Sequence, residues 1–419
     1  MIIDFSVGNF RSVKEVQSIN MTAANIVSKF KELDLQNVIK VNEKWTFLKS
    51  KAIYGANASG KSNLIRALVS FISLVDGSVK DDKLLNNQID PFRLSSEYDD
   101  KPSFFQLMFL VDDVFYRYGF EATSKEIVSE WLFGTPGKKE VVFFTRERNQ
   151  IEINEKKFSE GSKLKELVRE NALFLTVVNS LNGEVSRKLA TYISEIMVVS
   201  GLGDNRLYKI ASEALDDELM KRKILGMLKV ADVGIEDIWR LDINHDEDAI
   251  SKGQDSENKN KRSFLMSTHK RMDVKKNEKT EIPFSFDLQE SGGSKKMFEI
   301  SPVILNALEN NRPLIIDEFD ARFHPLLTKK LVELFNSDLN KKTQFLFVTH
   351  DTNLLNAEIL RRDQVSFVEK DRDDATHIYS LVEFKGVRND SSFEKDYIKG
   401  KYGAIPFLGN FEIIFEDHA

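Results

Sequence analysis

The sequence predicts an α/β fold: a mixed sheet, parallel at its centre, with antiparallel N-terminal strands and a helical subdomain inserted between two halves of the core. Three observations predict it. An apolar strand runs into a glycine-rich loop and a helix around residue 55, helices and strands alternate from Lys295 to Val368, and the stretch between has mostly helical periodicity. With 419 residues, of which 41% are hydrophobic, the chain can bury the cores this requires.

The elements follow in chain order. Ile2 to Val7 alternates in the manner of a strand. Trp45 to Tyr54 reads as one strand, and the helix beginning at Lys61 carries Leu64, Ile65, Ala67, Leu68 and Val69 as its buried stripe. Phe104 to Tyr118 flank Asp112-Asp113, a hairpin turn, and Glu140 to Thr145 with Ile151 to Ile153 form a second pair. Leu164 to Leu228 repeats apolar residues at helical spacing, and His245 to Arg262 is a polar loop. From Lys295 the order is helix, strand (Leu314 to Ile316), helix (Pro325 to Phe335), strand (Gln344 to Val348), helix (Asn353 to Leu360) and strand (Val365 to Val368). Such alternation implies parallel strands with right-handed crossovers. The expected division is 1–160 for an N-terminal lobe, 161–283 for the helical insertion and polar loop, and 284–419 for a C-terminal lobe.

Gly55-Ala56-Asn57-Ala58-Ser59-Gly60-Lys61-Ser62 fits the pattern G-x-x-x-x-G-K-[ST] between strand and helix. Gly55 and Gly60 let successive N–H groups turn inward on phosphates, and the helix N-terminus adds partial positive charge. Lys61 is expected on the β/γ oxygens and the Ser62 hydroxyl on Mg²⁺, with Asn63 in the first helical turn beside them. The implied ligand is ATP with Mg²⁺.

Pro313 to Ile316 is an apolar strand ending in Asp317-Glu318. Asp317 is expected to hold Mg²⁺ and Glu318 to activate the attacking water. Phe345 to Val348 leads to Thr349-His350, a histidine at the same sheet edge and able to donate to a γ-phosphate. Ser291-Gly292-Gly293 opens the helix that follows and makes a second anion site. One chain does not use two such sites for one triphosphate, so a head-to-head dimer is expected, with Asp320 at its boundary.

Composition removes several classes. No cysteine is present, so disulfides and thiolate-held metals are excluded, and a reducing compartment suits the chain. No apolar run has the length of a membrane span and the N-terminal residues lack a secretory pattern, so no membrane partner and a cytoplasmic location are expected. A net charge of −6 leaves nucleic-acid binding open. The most basic stretch (Lys259, Lys261, Arg262, His269, Lys270, Arg271, Lys275, Lys276 and Lys279) is interleaved with acids and reads as a solvated loop and hairpin. Glu369, Asp371, Asp373 and Asp374 read as a solvated turn.

In order, these motifs resemble the ABC-type, P-loop ATPase heads of the SMC and RecF class, and more closely the bacterial AAA-type ATPases related to the overcoming-lysogenisation-defect proteins. Asn9-Phe10-Arg11-Ser12 resembles that group's opening, where the arginine lies near nucleotide, and Asp396-Tyr397 with Tyr402-Gly403-Ala404-Ile405-Pro406 resembles its C-terminal stretch. Three departures stand out. Phe174 to Asn182 has no Mg²⁺-sensing glutamine, leaving Asn179 or Asn182 in its place; 162–242 is too short and too irregular for a coiled-coil rod; and where the overcoming-lysogenisation-defect nucleases carry a nuclease domain, only about seventy residues of this sequence follow His350, so none is expected within them. The resemblance implies an ATPase switch in anti-phage defence, assembling as a dimer or higher oligomer and controlling a separate effector protein. The alternatives are a RecF-like DNA-binding repair ATPase and a non-hydrolysing, ATP-dependent scaffold.

Overall fold

The computed structural model describes residues 1–203, 205–244, 261–274, 277–387, 392–406 and 409–410, with only the backbone of 243–244 and 261–262. They fall into two units: Met1–Val199 with Asn310–Phe319 and Thr328–Ala419, and Ser200–Glu309 with Asp320–Leu327.

The first unit holds two large sheets. The antiparallel one orders its strands Gln150–Ile153, Val141–Glu147, Ile127–Thr135, Val114–Ala122, Ser103–Val111, Ile2–Gly8 and Gln17–Asn20. Its hairpin turns at Asp112 and Asp113, both at positive φ (48° and 61°), the two-residue geometry whose twist matches the flanking strands. The strand Ile127–Thr135 between the two expected hairpins was not anticipated.

The second sheet runs Met197–Ser200, Leu314–Asp317, Phe345–Val348, Ser50–Gly55, Val365–Lys370 and Thr376–Ser380. Its four central strands are mutually parallel and the last is antiparallel, so the mixed character resides here. The N-terminal antiparallel strands form a sheet of their own.

One core cluster joins both sheets to the helix Lys61–Gly77. Leu64, Leu68, Phe71, Leu74 and Val75 are buried, and Phe71 lies parallel to Phe120 with centroids 5.5 Å apart. Fully burying each such side chain is worth roughly 1.5–3 kcal/mol, which holds the helix and the loop before it in place.

Four local expectations are corrected. Val69 is 39% exposed, because the stripe spans Leu64, Ile65 and Leu68 and turns away at 69. The Trp45 to Tyr54 strand divides at Lys49 into Thr46–Leu48 and Ser50–Gly55. No helix covers Asn353 to Leu360; Asp351 accepts from the Asn353 N–H and caps the short 3₁₀ turn Thr352–Leu354, which ends without propagating. The stretch 161–283 is also not wholly helical. Besides the helices Phe174–Ser180, Glu184–Ser194, Asn205–Ala214 and Glu218–Val230 it contains the strand Met197–Ser200. Near its end, Asp237–Asn244, Lys261–Asp273 and Glu278–Ser285 pair as a three-stranded antiparallel sheet in the second unit.

The basic stretch lies mostly on this hairpin. Lys270 pairs with Glu236 at 2.7 Å and His269 with Glu290 at 2.5 Å. Lys259, Lys275 and Lys276 lie outside the described residues, as does the loop 245–260.

Candidate functional site

Three parallel strands end at one sheet edge. Phe347 pairs with Ile316 on one side and Ala52 on the other, so the strand leading to His350 sits between the strand ending at Asp317 and the strand ending at Gly55. The acids are one strand removed from the phosphate-loop strand. At ordinary strand spacing that separates the two outer strands by roughly 10 Å.

The loop itself is built by close approach. Gly60 has φ of 104°, which disfavours any other residue, and a Cβ there would collide with the Thr376 hydroxyl. A Cβ on Gly55 would run into the Val368 carbonyl of the neighbouring strand. Thr376 locks the arrangement: its hydroxyl donates to the Ser59 carbonyl at 3.0 Å and its N–H to the Ser12 carbonyl at 2.7 Å. Lys61 is buried, its ammonium 2.8 Å from both the Gly55 and Ala56 carbonyls. Ser59 is buried, Ser62 and Ala56 are half-buried, and Asn57 and Ala58 form the exposed tip, with Ala58 at φ of 61°.

Asp317 closes its strand with Oδ1 buried and without a hydrogen-bond partner. Glu318 follows at φ of 53°, a left-handed conformation that costs a non-glycine residue roughly 1–3 kcal/mol and turns the chain sharply at the strand end. Phe319 pins that turn, its N–H donating to the Val348 carbonyl at 2.9 Å and its ring against Phe345 and Phe347 at 5.2 Å each. A buried, unpartnered carboxylate oxygen at the same sheet edge as a phosphate-type loop has the donor chemistry of a hard divalent cation site, so the residues present fit Mg²⁺.

His350 is exposed at the end of the central strand. Its neighbours are fixed: the Thr349 N–H donates to the Ile53 carbonyl at 3.1 Å, and Asp351 accepts from the Thr328 hydroxyl at 2.8 Å.

The segment Asn9 to Ser12 lies against the start of the phosphate-loop helix. Asn63 Nδ2 donates to Ser12 Oγ at 2.8 Å, and Ser12 Oγ is 2.7 Å from Thr376 Oγ1. Asn9 clips the following segment, accepting from the Phe92 N–H and donating to the Lys101 carbonyl. Arg11, at φ of 51°, leans toward Asp90, with Nε 3.7 Å from the carboxylate.

In the second unit, Ser291 caps the helix Gly292–Asn310: its hydroxyl accepts from the Ser294 N–H at 3.1 Å and its carbonyl from the Lys295 N–H at 3.0 Å. Ser291, Gly293 and Ser294 line a cavity of about 490 Å³ with Arg322 and His324. A Cβ on Gly293 would stand 3.0 Å from the Arg322 carbonyl. The structure thus brings the Ser-Gly-Gly segment together with the stretch beginning at Asp320, which is half-buried in the same unit.

Sequence reasoning missed the groups that brace these elements. Glu130, buried in a strand interior, accepts from the Phe174 and Leu175 N–H groups at 2.6 and 3.0 Å and from the Tyr118 hydroxyl at 3.0 Å. Arg146, also buried, lies 3.5 Å away and donates to the Ala172 carbonyl at 2.6 Å. Burial pushes the Glu130 carboxyl up, against the pull of Arg146. This pair starts the helix Phe174–Ser180, which carries Asn179, and Thr176 ties that helix to the Val75 carbonyl at 2.8 Å. No local pattern marks Glu130 or Thr376.

The turn Asp371 to Asp374 is held by its own contacts: Asp371 accepts from the Asp373 and Ala375 N–H groups, and Asp373 meets Lys14 at 2.8 Å. Among the described residues no group of three or more His, Asp or Glu gathers as a metal cage, and no helix is long and apolar enough to cross a membrane.

A phosphate loop at the carboxyl edge of a parallel sheet, with an Asp-Glu strand end two strands away, defines an ATP-binding P-loop ATPase. The chain belongs to the family described as "AAA domain, putative AbiEii toxin, Type IV TA system", which matches residues 52–356. Solved structures similar to it include the SMC head domain from Thermotoga maritima, 12% identical, covering 90% of this chain and 98% of that one at a TM-score of 0.44. An SmcHead bound to the C-winged helix domain of ScpA is 15% identical, covering 90% and 97% at 0.43. An Smc head with an extended coiled coil, bound to the C-terminal domain of ScpA derived from Pyrococcus furiosus, is 13% identical, covering 96% and 98% at 0.40. No curated protein matches the chain.

Proposed function

We propose that this chain hydrolyses ATP between two copies of itself and uses the cycle as a switch. One observation carries the reading: the strands ending at Gly55, Asp317 and His350 are parallel neighbours whose ends share one sheet edge. Gly55 to Ser62 would cradle the phosphates, and Lys61 would exchange its carbonyl contacts for phosphate oxygens. Ser62 and Asp317 would hold Mg²⁺, which supplies charge neutralisation on the phosphates when bound. Glu318 is the general base for water, and His350 donates to the terminal phosphate.

Ser291-Gly292-Gly293 and Asp320 serve the nucleotide held by a second copy, since a capped helix start with Ser291 and Gly292 exposed leaves its first N–H groups open to an anion. In this reading ATP joins two heads and hydrolysis parts them. The switch acts in anti-phage defence on a separately encoded effector, a step resting on the family resemblance alone. On the basic hairpin Lys270 is paired with Glu236 at 2.7 Å.

The test is turnover and assembly in one preparation. Glu318→Gln is expected to lower phosphate release at least about 100-fold while retaining ATP, and to shift the ATP-bound protein from monomer to dimer on a sizing column. Equal turnover in both proteins refutes the assignment of Glu318, and a monomer under all conditions refutes the switch.

A further inference from the structure

Three stretches of chain converge on one carbonyl of the phosphate loop, and the chemistry proposed above uses none of the side chains they bring. Residues 9–14 close on themselves, the Phe10 and Val13 N–H groups each donating to the other's carbonyl at 2.8 Å, which holds Ser12 at the tip of a tight loop. The strand Thr376–Ser380 runs alongside, its Thr376 N–H on the Ser12 carbonyl at 2.7 Å and its Ile378 N–H on Gln17 Oε1 at 2.9 Å. The third stretch is the first turn of the helix Lys61–Gly77, which supplies Asn63.

Their hydrogen bonds form a chain with one direction. Asn63 Nδ2 donates to Ser12 Oγ at 2.8 Å, and the Thr376 hydroxyl donates to the Ser59 carbonyl at 3.0 Å. Each hydroxyl has a single proton, so in the 2.7 Å contact between Ser12 Oγ and Thr376 Oγ1 the serine donates and the threonine accepts. The order is Asn63 amide, Ser12, Thr376, Ser59 carbonyl, and each link polarises the next. Thr376 and Ser59 are 1% and 4% exposed, so the last link is shielded from solvent. Packing alone would be served by a valine of the same shape; a hydroxyl buried there carries a desolvation cost that only its bonds offset.

We propose that Thr376 and Ser12 are positioning residues for the nucleotide: through the Ser59–Gly60 peptide they keep the Gly60 N–H aimed at the phosphates. Among the described residues no peptide bond is cis, and in a trans peptide the C=O and the following N–H point in opposite directions. Thr376 holds the Ser59 carbonyl on its own side and so turns the Gly60 N–H the other way, into the hollow of the loop. Gly60 permits this because a Cβ there would fall on the Thr376 and Ser12 hydroxyls. The proposal rests on the phosphate loop holding ATP. It adds that the loop's geometry is set from outside, by an N-terminal loop and by a residue 317 positions beyond Ser59.

The experiment titrates ATP into the full chain and follows thermal unfolding without ligand. Thr376→Val, which keeps the shape and removes the hydroxyl, is expected to weaken ATP about tenfold, the equivalent of one buried hydrogen bond. Thr376→Ser should bring affinity back to within about threefold of wild type. Ser12→Ala breaks the chain one link earlier, serves as the test where Thr376→Val does not fold, and is expected to weaken ATP about threefold. The double variant should bind no more weakly than Thr376→Val alone, because both changes act on one peptide. If Thr376→Val lowers the unfolding temperature and leaves ATP affinity unchanged, the chain only braces the fold and the proposal is overturned. Thr376→Ser as weak as Thr376→Val, or losses that add in the double variant, overturn it as well. A wild-type chain that binds no ATP refutes the nucleotide reading itself, and the proposal with it.

Discussion

Asp317→Asn separates a structural carboxylate from one kept for a cation. In the folded chain Asp317 Oδ1 is buried and takes no hydrogen bond. A buried polar atom in that condition costs about 1–3 kcal/mol, more when charged, so the native residue weakens the nucleotide-free fold. Replacing the carboxylate by the nearly isosteric amide removes the charge without a cavity. The variant is therefore expected to be as stable as wild type or more stable by about 1 kcal/mol without ligand, opposite in sign to most buried substitutions.

With ligand the order reverses. At a concentration 100 times the dissociation constant a nucleotide adds about 2.7 kcal/mol to stability, and each tenfold loss of affinity takes back about 1.4 kcal/mol. The assay is thermal unfolding with no ligand, with ATP and EDTA, and with ATP and Mg²⁺. Wild type should gain a further increment when Mg²⁺ replaces EDTA; Asp317→Asn should gain the ATP increment and lose the Mg²⁺ one. A ligand-free variant destabilised by more than about 2 kcal/mol shows that Asp317 is a structural residue. An undiminished Mg²⁺ increment shows that the cation is held elsewhere.

Three further outcomes follow from the same structure. Gly292→Asp places a charge like that of the phosphates at the first residue of the helix Gly292–Asn310 and should abolish ATP-dependent dimer formation while ATP affinity stays within about twofold; sizing and nucleotide titration of one sample check it, and an intact dimer refutes the role of Ser291 to Gly293 in trans. Glu130→Ala strands a buried Arg146 and two helix N–H groups, and should cost about 3–5 kcal/mol in urea unfolding; a loss under 1 kcal/mol means the pair is dispensable. Lys51 is buried at the base of the phosphate-loop strand, its ammonium 2.8 Å from the Asp363 carbonyl, and burial lowers its pKa to about 8, against the pull of Asp363. Between pH 8 and the unfolded value near 10.5 the unfolded chain binds the extra proton, so this group's contribution to stability rises with pH there. Lys51→Met should accordingly be more stable than wild type at pH 7, with the gap closing by pH 10; a gap that widens contradicts the burial argument.

The residues proposed to do the chemistry were legible because each breaks a local rule. A Gly-Lys-Ser follows an apolar strand, two acids end another, and a histidine ends a third, so polar groups stand where the hydrophobic run stops. The parallel sheet was legible for the same reason, from alternation along the chain. What local pattern could not supply was lateral order: that the histidine strand lies between the other two depends on which crossover passes over which, and no residue encodes it alone.

The bracing groups were hidden for a related cause. Glu130 lies between Ser129 and Trp131 in a stretch whose strand the sequence did not announce, and its exposure is 1%. It is buried because the start of the helix Phe174–Ser180 covers it, forty-four positions further along. Glu369 likewise reads as one acid of a solvated turn, and its partner Ala404 is thirty-five residues away. A catalytic group must sit at an element's end to meet a ligand, which sets it apart from the residues around it. A group that only holds such an end in place is spared that requirement. Its role rests on contacts made after the chain has folded, so the burial of ordinary-looking polar residues, more than any motif, shows how the loop, the acids and the histidine are kept in register.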